Sequence, residues 1–494
     1  MGKLADALFH RADLDGRRAA MSDDRCVLSR SELAQWVAGA AADLGPAPEV
    51  IGIFGANSAE WAVAFLAASV AGKTIVPIPR FFSQDQRAHL LRDAGVSRVL
   101  VTGAADEDGY GLTLPVQVLS QRREAVLPFA AGDGSLIIYT SGSTGSPKGV
   151  RLASGQALWS AEALAEASGA TADDKYLSLL PLPMLLEAIC GIIIPVLVGG
   201  RVHYDGAIAE SVSTGAASDI AQALERERPT TSVLVPQLLA LYAGQLAASR
   251  KRPPESLRFV AVGGAPLSPL LAAAAARLEI PVYEGYGLSE CASVVAVNRP
   301  GASRAGTIGQ PLPGLRVEIE DGEIIVEGPS VMDGYLHGDA APRRWRTGDV
   351  GRIDPDGFLT VYGRRDNLIV TPAGRNINPE WIETMLADDP RIGASLLCQI
   401  GDPAQLALLL IPSRFGAAWF QAASLEDIDR LVARACQAAP DYARPKGVFV
   451  IAPDEAMRLG LFTANGRVRR REAAKILHDK AKISESGKTL EVME

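Results

Sequence analysis

Between Tyr139 and Val150 the chain reads Tyr-Thr-Ser-Gly-Ser-Thr-Gly-Ser-Pro-Lys-Gly-Val. Thr140, Ser141, Ser143 and Thr144 offer hydroxyl donors, Gly142 and Gly145 let backbone N–H groups approach an anion, and Lys148 adds a positive charge. That is the composition of a phosphate cradle. Two rival motifs fail on spacing. A Walker A loop needs its lysine directly after a glycine and before Ser or Thr, whereas here Pro147 precedes Lys148 and Gly149 follows it. A nucleophile elbow needs Gly-x-Ser-x-Gly, which no serine of this stretch satisfies. By composition alone, a flexible surface loop of small polar residues fits equally well.

Further groups able to handle a nucleotide follow. In Tyr283-Glu284-Gly285-Tyr286-Gly287-Leu288-Ser289-Glu290, Ser289 can donate to a phosphate oxygen and Glu290 supplies a hard carboxylate for Mg²⁺. Gly263-Gly264-Ala265-Pro266-Leu267 follows a predicted strand, where parallel α/β sheets form their ligand crevices. Asp349, in Thr347-Gly348-Asp349, can accept from both hydroxyls of a ribose, although a Gly-Asp turn is common by itself. Gly363-Arg364-Arg365-Asp366 adds a guanidinium suited to ribose or phosphate and reads equally as an exposed charged linker.

These residues must be held by elements whose pattern alternates. The spacing predicts a helix over 31–44, capped by Ser31 or Ser29, then a strand over 50–54, a helix over 59–71, a strand over 74–78, a helix over 84–94 and a strand over 98–102. Such alternation indicates parallel sheets covered by helices, and it continues through strands at 231–235 and 257–262 and a helix at 270–278. From about Arg304 the texture changes to short strands with Gly, Pro and Asp turns, a small antiparallel module. After Asp366 a further α/β alternation is long enough for a separate α+β domain.

At 494 residues the chain exceeds one ordinary core. Its net charge of −8 argues against a general nucleic-acid binder, so any polyphosphate site must be positive locally. Cys26, Cys190, Cys291, Cys398 and Cys436 form no Cys-x-x-Cys pair and read as reduced thiols. The first ten residues lack the apolar core of a signal peptide, and the apolar run at 188–200 is too short for a bilayer and contains Pro195. A cytoplasmic protein without a transmembrane segment is expected.

In this order, from about residue 30 to 471, the motifs resemble those of the adenylate-forming (AMP-binding) superfamily, which includes acyl-CoA synthetases, adenylation domains of peptide synthetases and firefly luciferase. The Glu-Gly-Tyr-Gly form is most similar to fatty acyl-CoA ligases. The resemblance implies a layered α/β N-terminal domain over 1–363 that binds AMP and the acyl group, a hinge at 364–367 and a mobile C-terminal domain over 368–494. It implies ATP and Mg²⁺, a small-molecule carboxylic acid, foremost a medium or long fatty acid, and transfer to the thiol of coenzyme A, with an aryl- or fatty-acid ligase that loads the phosphopantetheine of an acyl carrier protein as the alternative.

Residue by residue, the resemblance makes Thr140, Ser141, Gly142, Ser143, Thr144, Gly145 and Lys148 the grip on the β- and γ-phosphates. Gly264, Ala265 and Pro266 would meet the adenine, and Tyr286, Gly287 and Ser289 would complete the ATP site. Glu290 would hold Mg²⁺, Asp349 and Arg364 the ribose, and Asp366 would be the hinge. Met184, Leu185, Gly264 and Gly285 would wall the acyl pocket. Residues 374–383 resemble the loop and helix that enter the site for thioester formation.

The chain departs from this pattern twice. Arg467 stands where the family carries its adenylation lysine, so the catalytic set would be Arg467, Glu290 and Lys148. Arg467 could act in a subfamily adapted to it, Lys446, Lys475 or Lys488 could replace it, or adenylation could be crippled, leaving a non-catalytic nucleotide- or acyl-binding protein. The first is favoured, because a guanidinium keeps the charge that a lysine brings to the developing negative oxygens. The second departure is Met184, where fatty acyl-CoA ligases usually place histidine. Methionine beside leucines makes that wall apolar and adaptable, suiting an apolar acyl or aryl chain. No aspartate occupies 233–237, where amino-acid-activating members carry one. The basic residues Arg467, Arg469, Arg470 and Arg471 could meet coenzyme A or carrier-arm phosphates, or simply form a solvated face.

Overall fold

A computed structural model describes residues 2–103, 116–140, 147–214, 218–370, 375–400, 405–462, 468–481 and 490–493. Two large sheets dominate its N-terminal part. One runs 334–335, 148–152, 135–140, 74–77, 50–55, 98–102 and 116–118, and the other runs 310–311, 293–297, 282–288, 259–262, 231–234, 175–178, 201–204, 19–22 and 27–29. Their central strands are parallel, as the alternation requires. The edges turn antiparallel, most consequentially where Ser135–Thr140 pairs with Lys148–Leu152 in a hairpin and where Val282–Leu288 pairs with Ser293–Val297.

Local chemistry fixes the elements. Ser29, rather than Ser31, caps the helix Arg30–Leu44: the Glu32 N–H donates to Ser29 Oγ, and the Ser29 N–H donates to Glu32 Oε2 at 2.8 Å. The helix Ala59–Val70 is buried at every residue but Glu60, which is why its apolar residues show little helical stripe. Its cap, Ser58, accepts from the Trp61 N–H at 3.1 Å.

The apolar run beyond Met184 breaks into a short helix, Leu185–Ala188, a π turn, Ile189–Ile193, and a second short helix, Ile194–Val198. Pro195 explains the break: it has no N–H to donate to the carbonyl four residues earlier, that of Gly191. The Tyr204 hydroxyl donates to that carbonyl instead, at 2.8 Å. In the first of the two short helices Glu187 is fully buried and accepts from the Tyr176 hydroxyl at 2.9 Å. Burial pushes its carboxyl up to about 8, so it is a neutral acid at pH 7. Among the described residues no helix is long and apolar enough to cross a membrane.

The antiparallel module is a four-stranded sheet in the order 316–320, 323–327, 344–353 and 359–364. Past it, strands 392–400, 405–412, 447–451 and 490–493 form a separate sheet whose apolar side chains cluster among themselves. Within that part, Arg470 Nη2 donates to both carboxylate oxygens of Glu383 at 2.8 and 2.7 Å, while the Leu397 N–H donates to Glu383 at 2.7 Å. The short 3₁₀ turn Arg365–Asn367 carries Asp366 between the two parts. Arg365 pairs with Glu323 at 2.9 Å on one side, and Asn367 donates to Glu380 on the other. The Ser268 hydroxyl donates to Asp388 across the same gap.

Candidate nucleotide and metal site

The hairpin Ser135–Thr140 and Lys148–Leu152 holds the glycine- and hydroxyl-rich loop at its tip, with Thr140 directly opposite Lys148. Ser141, Gly142, Ser143, Thr144 and Gly145 lie outside the described residues. Lys148 is exposed at the start of its strand, and its ammonium stands 5.6 Å from the centre of the Tyr335 ring. Tyr335 reaches this place because Gly334–Tyr335 pairs antiparallel with 150–151 at the sheet edge.

The same tyrosine links the hairpin to Glu290. Its hydroxyl donates to Glu290 Oε1 at 2.8 Å, and the Met332 N–H donates to the Glu290 carbonyl at 2.9 Å. Glu290 Oε2 has no hydrogen-bond partner among the described residues. A carboxylate fixed through one oxygen and open at the other fits Mg²⁺, which takes hard oxygen ligands and is usually held by one or two carboxylates together with substrate phosphates.

Asp349 and Arg364 meet because they are direct cross-strand partners in the antiparallel sheet. Arg364 Nε lies 3.0 Å from Asp349 Oδ1, and Arg364 Nη1 donates to the Thr347 carbonyl at 2.8 Å. Tyr286, from the 282–288 strand, donates its hydroxyl to Asp349 Oδ2. The Thr347 hydroxyl accepts the Asp349 N–H at 3.0 Å and donates to the Ile324 carbonyl at 2.7 Å, fixing the turn. Burial raises the Asp349 carboxyl above the ordinary range, while Arg364 and Tyr286 pull it back.

Gly264, with φ at +81°, lets the chain turn after the strand Phe259–Val262, and the loop runs through Ala265 and Pro266 beside the Glu284–Tyr286 stretch of the neighbouring strand. There the Leu267 N–H donates to the Glu284 carboxylate, which burial nevertheless pushes up to about 7. Gly287 is required sterically, since a Cβ would stand 1.7 Å from the Ser293 carbonyl oxygen. Ser289 and Glu290 occupy the 3₁₀ turn Ser289–Cys291 just beyond it.

The motif residues thus converge from separate strands: Lys148 on the Tyr335 ring and Tyr335 in turn on Glu290, Tyr286 and Arg364 on Asp349, and the 263–267 loop on Glu284. Met184 is exposed, whereas its neighbour Leu185 packs into the main core, so of the two only the former faces open space. Tyr335, Thr347 and Glu284 had no role in the sequence reading. The first is 45 residues from Glu290 and no spacing links them; the other two stood inside motifs whose neighbours drew the attention.

The raised Glu284 has a measurable consequence. Its folded pKa lies above the unfolded value near 4.5, so its stabilising contribution is complete below that value and is lost as pH rises through about 7. Glu187 acts in the same direction up to about 8, so the comparison must be with a variant. Glu284→Gln is expected to melt with wild type at pH 5 and to be more stable by on the order of 1–2 kcal/mol at pH 8. Parallel melting profiles from pH 5 to 8 would remove Glu284 as the titrating group.

The chain matches the AMP-binding enzyme family over residues 8–336. It is 32% identical over 282 residues to a 2-succinylbenzoate–CoA ligase of Bacillus licheniformis, covering 53% of this chain and 55% of that protein. It is likewise 32% identical over 336 residues to a protein of Mycobacterium tuberculosis named as a fatty-acid–CoA ligase, covering 56% and 57%. The matches therefore span little more than half the length of these relatives. The solved structure of o-succinylbenzoate CoA synthetase from Bacillus subtilis, in complex with its acyl-adenylate intermediate, superposes with a TM-score of 0.79 at 25% identity, covering 95% of this chain and 97% of that one. With a family match across most of its length and this fold, the chain belongs to the AMP-binding family and is an enzyme of the adenylate-forming superfamily.

Proposed function

We propose that the protein activates a carboxylic acid with ATP and passes the acyl group to the thiol of coenzyme A. An acid oxygen bonds to the α-phosphorus as the bond to the bridging oxygen of pyrophosphate breaks, giving acyl-AMP and pyrophosphate. The thiol sulfur then bonds to the acyl carbon, the carbon–oxygen bond to AMP breaks and the thiol proton is released. The observation that carries this reading is the pairing of two fixed carboxylates: Asp349, clamped by Arg364 and Tyr286, and Glu290, held by Tyr335 beside Lys148. The first suits a ribose, the second a metal–phosphate group.

In this reading Thr140, Lys148 and the loop between them grip the β- and γ-phosphates. The 263–267 loop and the Glu284–Tyr286 stretch flank the adenine, and Asp349 with Arg364 takes the ribose hydroxyls. Glu290 would hold magnesium, which when bound offsets phosphate charge. The part beyond Asp366 would turn about the 365–367 segment between the two steps, and Arg467 would face the reacting carboxylate.

The acid is proposed to be a monocarboxylate with an apolar body, either aryl or fatty. The relatives are named for both 2-succinylbenzoate and fatty acid. Residues 184–198 contain no Lys, Arg or His, and their one carboxyl, Glu187, is buried and neutral at pH 7. Met184, the residue of the Met184–Leu185 pair that faces open space, offers a second substrate carboxylate no counterion.

A screen of fatty, aryl and dicarboxylic acids with MgATP and coenzyme A tests the proposal. Pyrophosphate and AMP are expected with apolar monocarboxylates, at least tenfold above a succinyl-bearing aryl acid, since burying an uncompensated carboxylate costs more than about 1.4 kcal/mol. Thioester appearing on an acyl carrier protein but not on coenzyme A would overturn the acceptor, and no pyrophosphate from any acid would overturn the activity.

A further inference from the structure

The turn that carries Glu290 is braced by a residue no motif contains. Directly after Cys291, Ala292 and Ser293 have φ of +48° and +91°. Among the described residues they are the one consecutive non-glycine pair in the left-handed region, and Ser293 lies farthest into it. Such conformations persist only where the surroundings impose them, and they cluster at functional sites.

Here the surroundings are specific. Ser160, on the helix Ser154–Ser168 and 1% exposed, donates its hydroxyl to the Ala292 carbonyl at 2.5 Å. On the far side the Ser293 carbonyl fills the space left by the missing side chain of Gly287. The turn is therefore held between a buried hydroxyl and a strand backbone, and Ser289 and Glu290 are aimed by it. Nothing else in the main core requires a hydroxyl at position 160, whose helix neighbours Ala157, Ala161, Ala163 and Leu164 are apolar.

We infer that Ser160 is a positioning residue for the metal-holding carboxylate: its hydrogen bond to Ala292 keeps the strained turn wound and Glu290 Oε2 directed at the metal. This rests on the reading of Glu290 as the Mg²⁺ ligand. A serine serving only the packing of its helix would alter stability but not metal requirement.

Mg²⁺ titration of acid-dependent ATP–pyrophosphate exchange, with melting temperatures of the same proteins, tests this. Ser160→Ala is expected to raise the Mg²⁺ half-saturation about fivefold, the effect of one lost hydrogen bond, with the KM for the acid within twofold of wild type. Ser293→Gly relieves the backbone strain and leaves the Ser160 hydrogen bond in place, so by itself it is expected to melt higher than wild type with an unchanged Mg²⁺ half-saturation; added to Ser160→Ala, it is expected to bring the half-saturation back to within twofold of wild type, because glycine holds the turn without the hydrogen bond. Recovery of the metal requirement by a residue that is no metal ligand is an outcome that a packing role does not produce. If Ser160→Ala keeps the wild-type Mg²⁺ half-saturation while Glu290→Gln raises it, the inference falls and the site reading stands. If Glu290→Gln itself keeps the wild-type response, the reading of Glu290 falls.

Discussion

Glu290→Gln is expected to lower acyl-adenylate formation by about 10²–10³-fold at fixed Mg²⁺ while leaving the melting temperature unchanged. The amide oxygen of glutamine still accepts from the Tyr335 hydroxyl, and the backbone anchor from Met332 does not involve the side chain, so the turn remains in place. What disappears is the negative charge at Oε2, the position open for a hard cation. Excess Mg²⁺ is expected to recover part of the rate, because the phosphates of the substrate supply ligands of their own. Tyr335→Phe separates holding from binding: the carboxylate stays but loses its orienting donor, and a loss of about tenfold is expected. Equal rates for Glu290→Gln and wild type in quenched pyrophosphate-release assays would remove the metal role from this residue.

The difference between those two variants also shows where the sequence was legible. Glu290, Asp349, Arg364 and Lys148 could be named because each sits in a short string whose glycines and hydroxyls announce a close backbone approach to an anion. Tyr335 and Ser160 could not be named, because each works through one long-range hydrogen bond, across 45 and 132 residues respectively. Hydrophobic period and composition carry no record of such a pairing. The parallel cores were readable from alternating helix and strand patterns. Their antiparallel edges were not, since the hairpin that presents Thr140 opposite Lys148 looks, as a sequence, like a strand and a loop. The π turn near Met184 was invisible for another reason: Pro195 announces a break, but the donor that satisfies Gly191 comes from Tyr204, on a different strand.

The basic run near the C-terminus shows the value of knowing which charges are already committed. Arg470 Nη2 donates to both oxygens of Glu383, so its charge is already paired, whereas Arg469 donates through Nε to the neutral Phe462 carbonyl at 3.1 Å and keeps its charge. Arg471 is exposed at the start of its helix. Arg467 lies outside the described residues, between Phe462 and Val468, which bridge to one another. Of the alternative lysines, Lys446 and Lys475 are exposed on other elements and Lys488 lies outside the described residues.

Arg467→Ala is therefore expected to reduce acid-dependent pyrophosphate exchange by about 10²–10³-fold, the scale of removing one charged donor from a developing oxyanion. Arg467→Lys, which keeps a compact charge, is expected to stay within about tenfold of wild type. Thioester formation from presynthesised acyl-AMP is expected to change little in either, because the α-phosphate has already been attacked when that step begins. The comparison separates the three possibilities directly. A large loss confined to the first step assigns the cation to Arg467; unchanged exchange in Arg467→Ala passes the task to another residue; and no exchange in wild type with any acid identifies a protein that binds the nucleotide without using it.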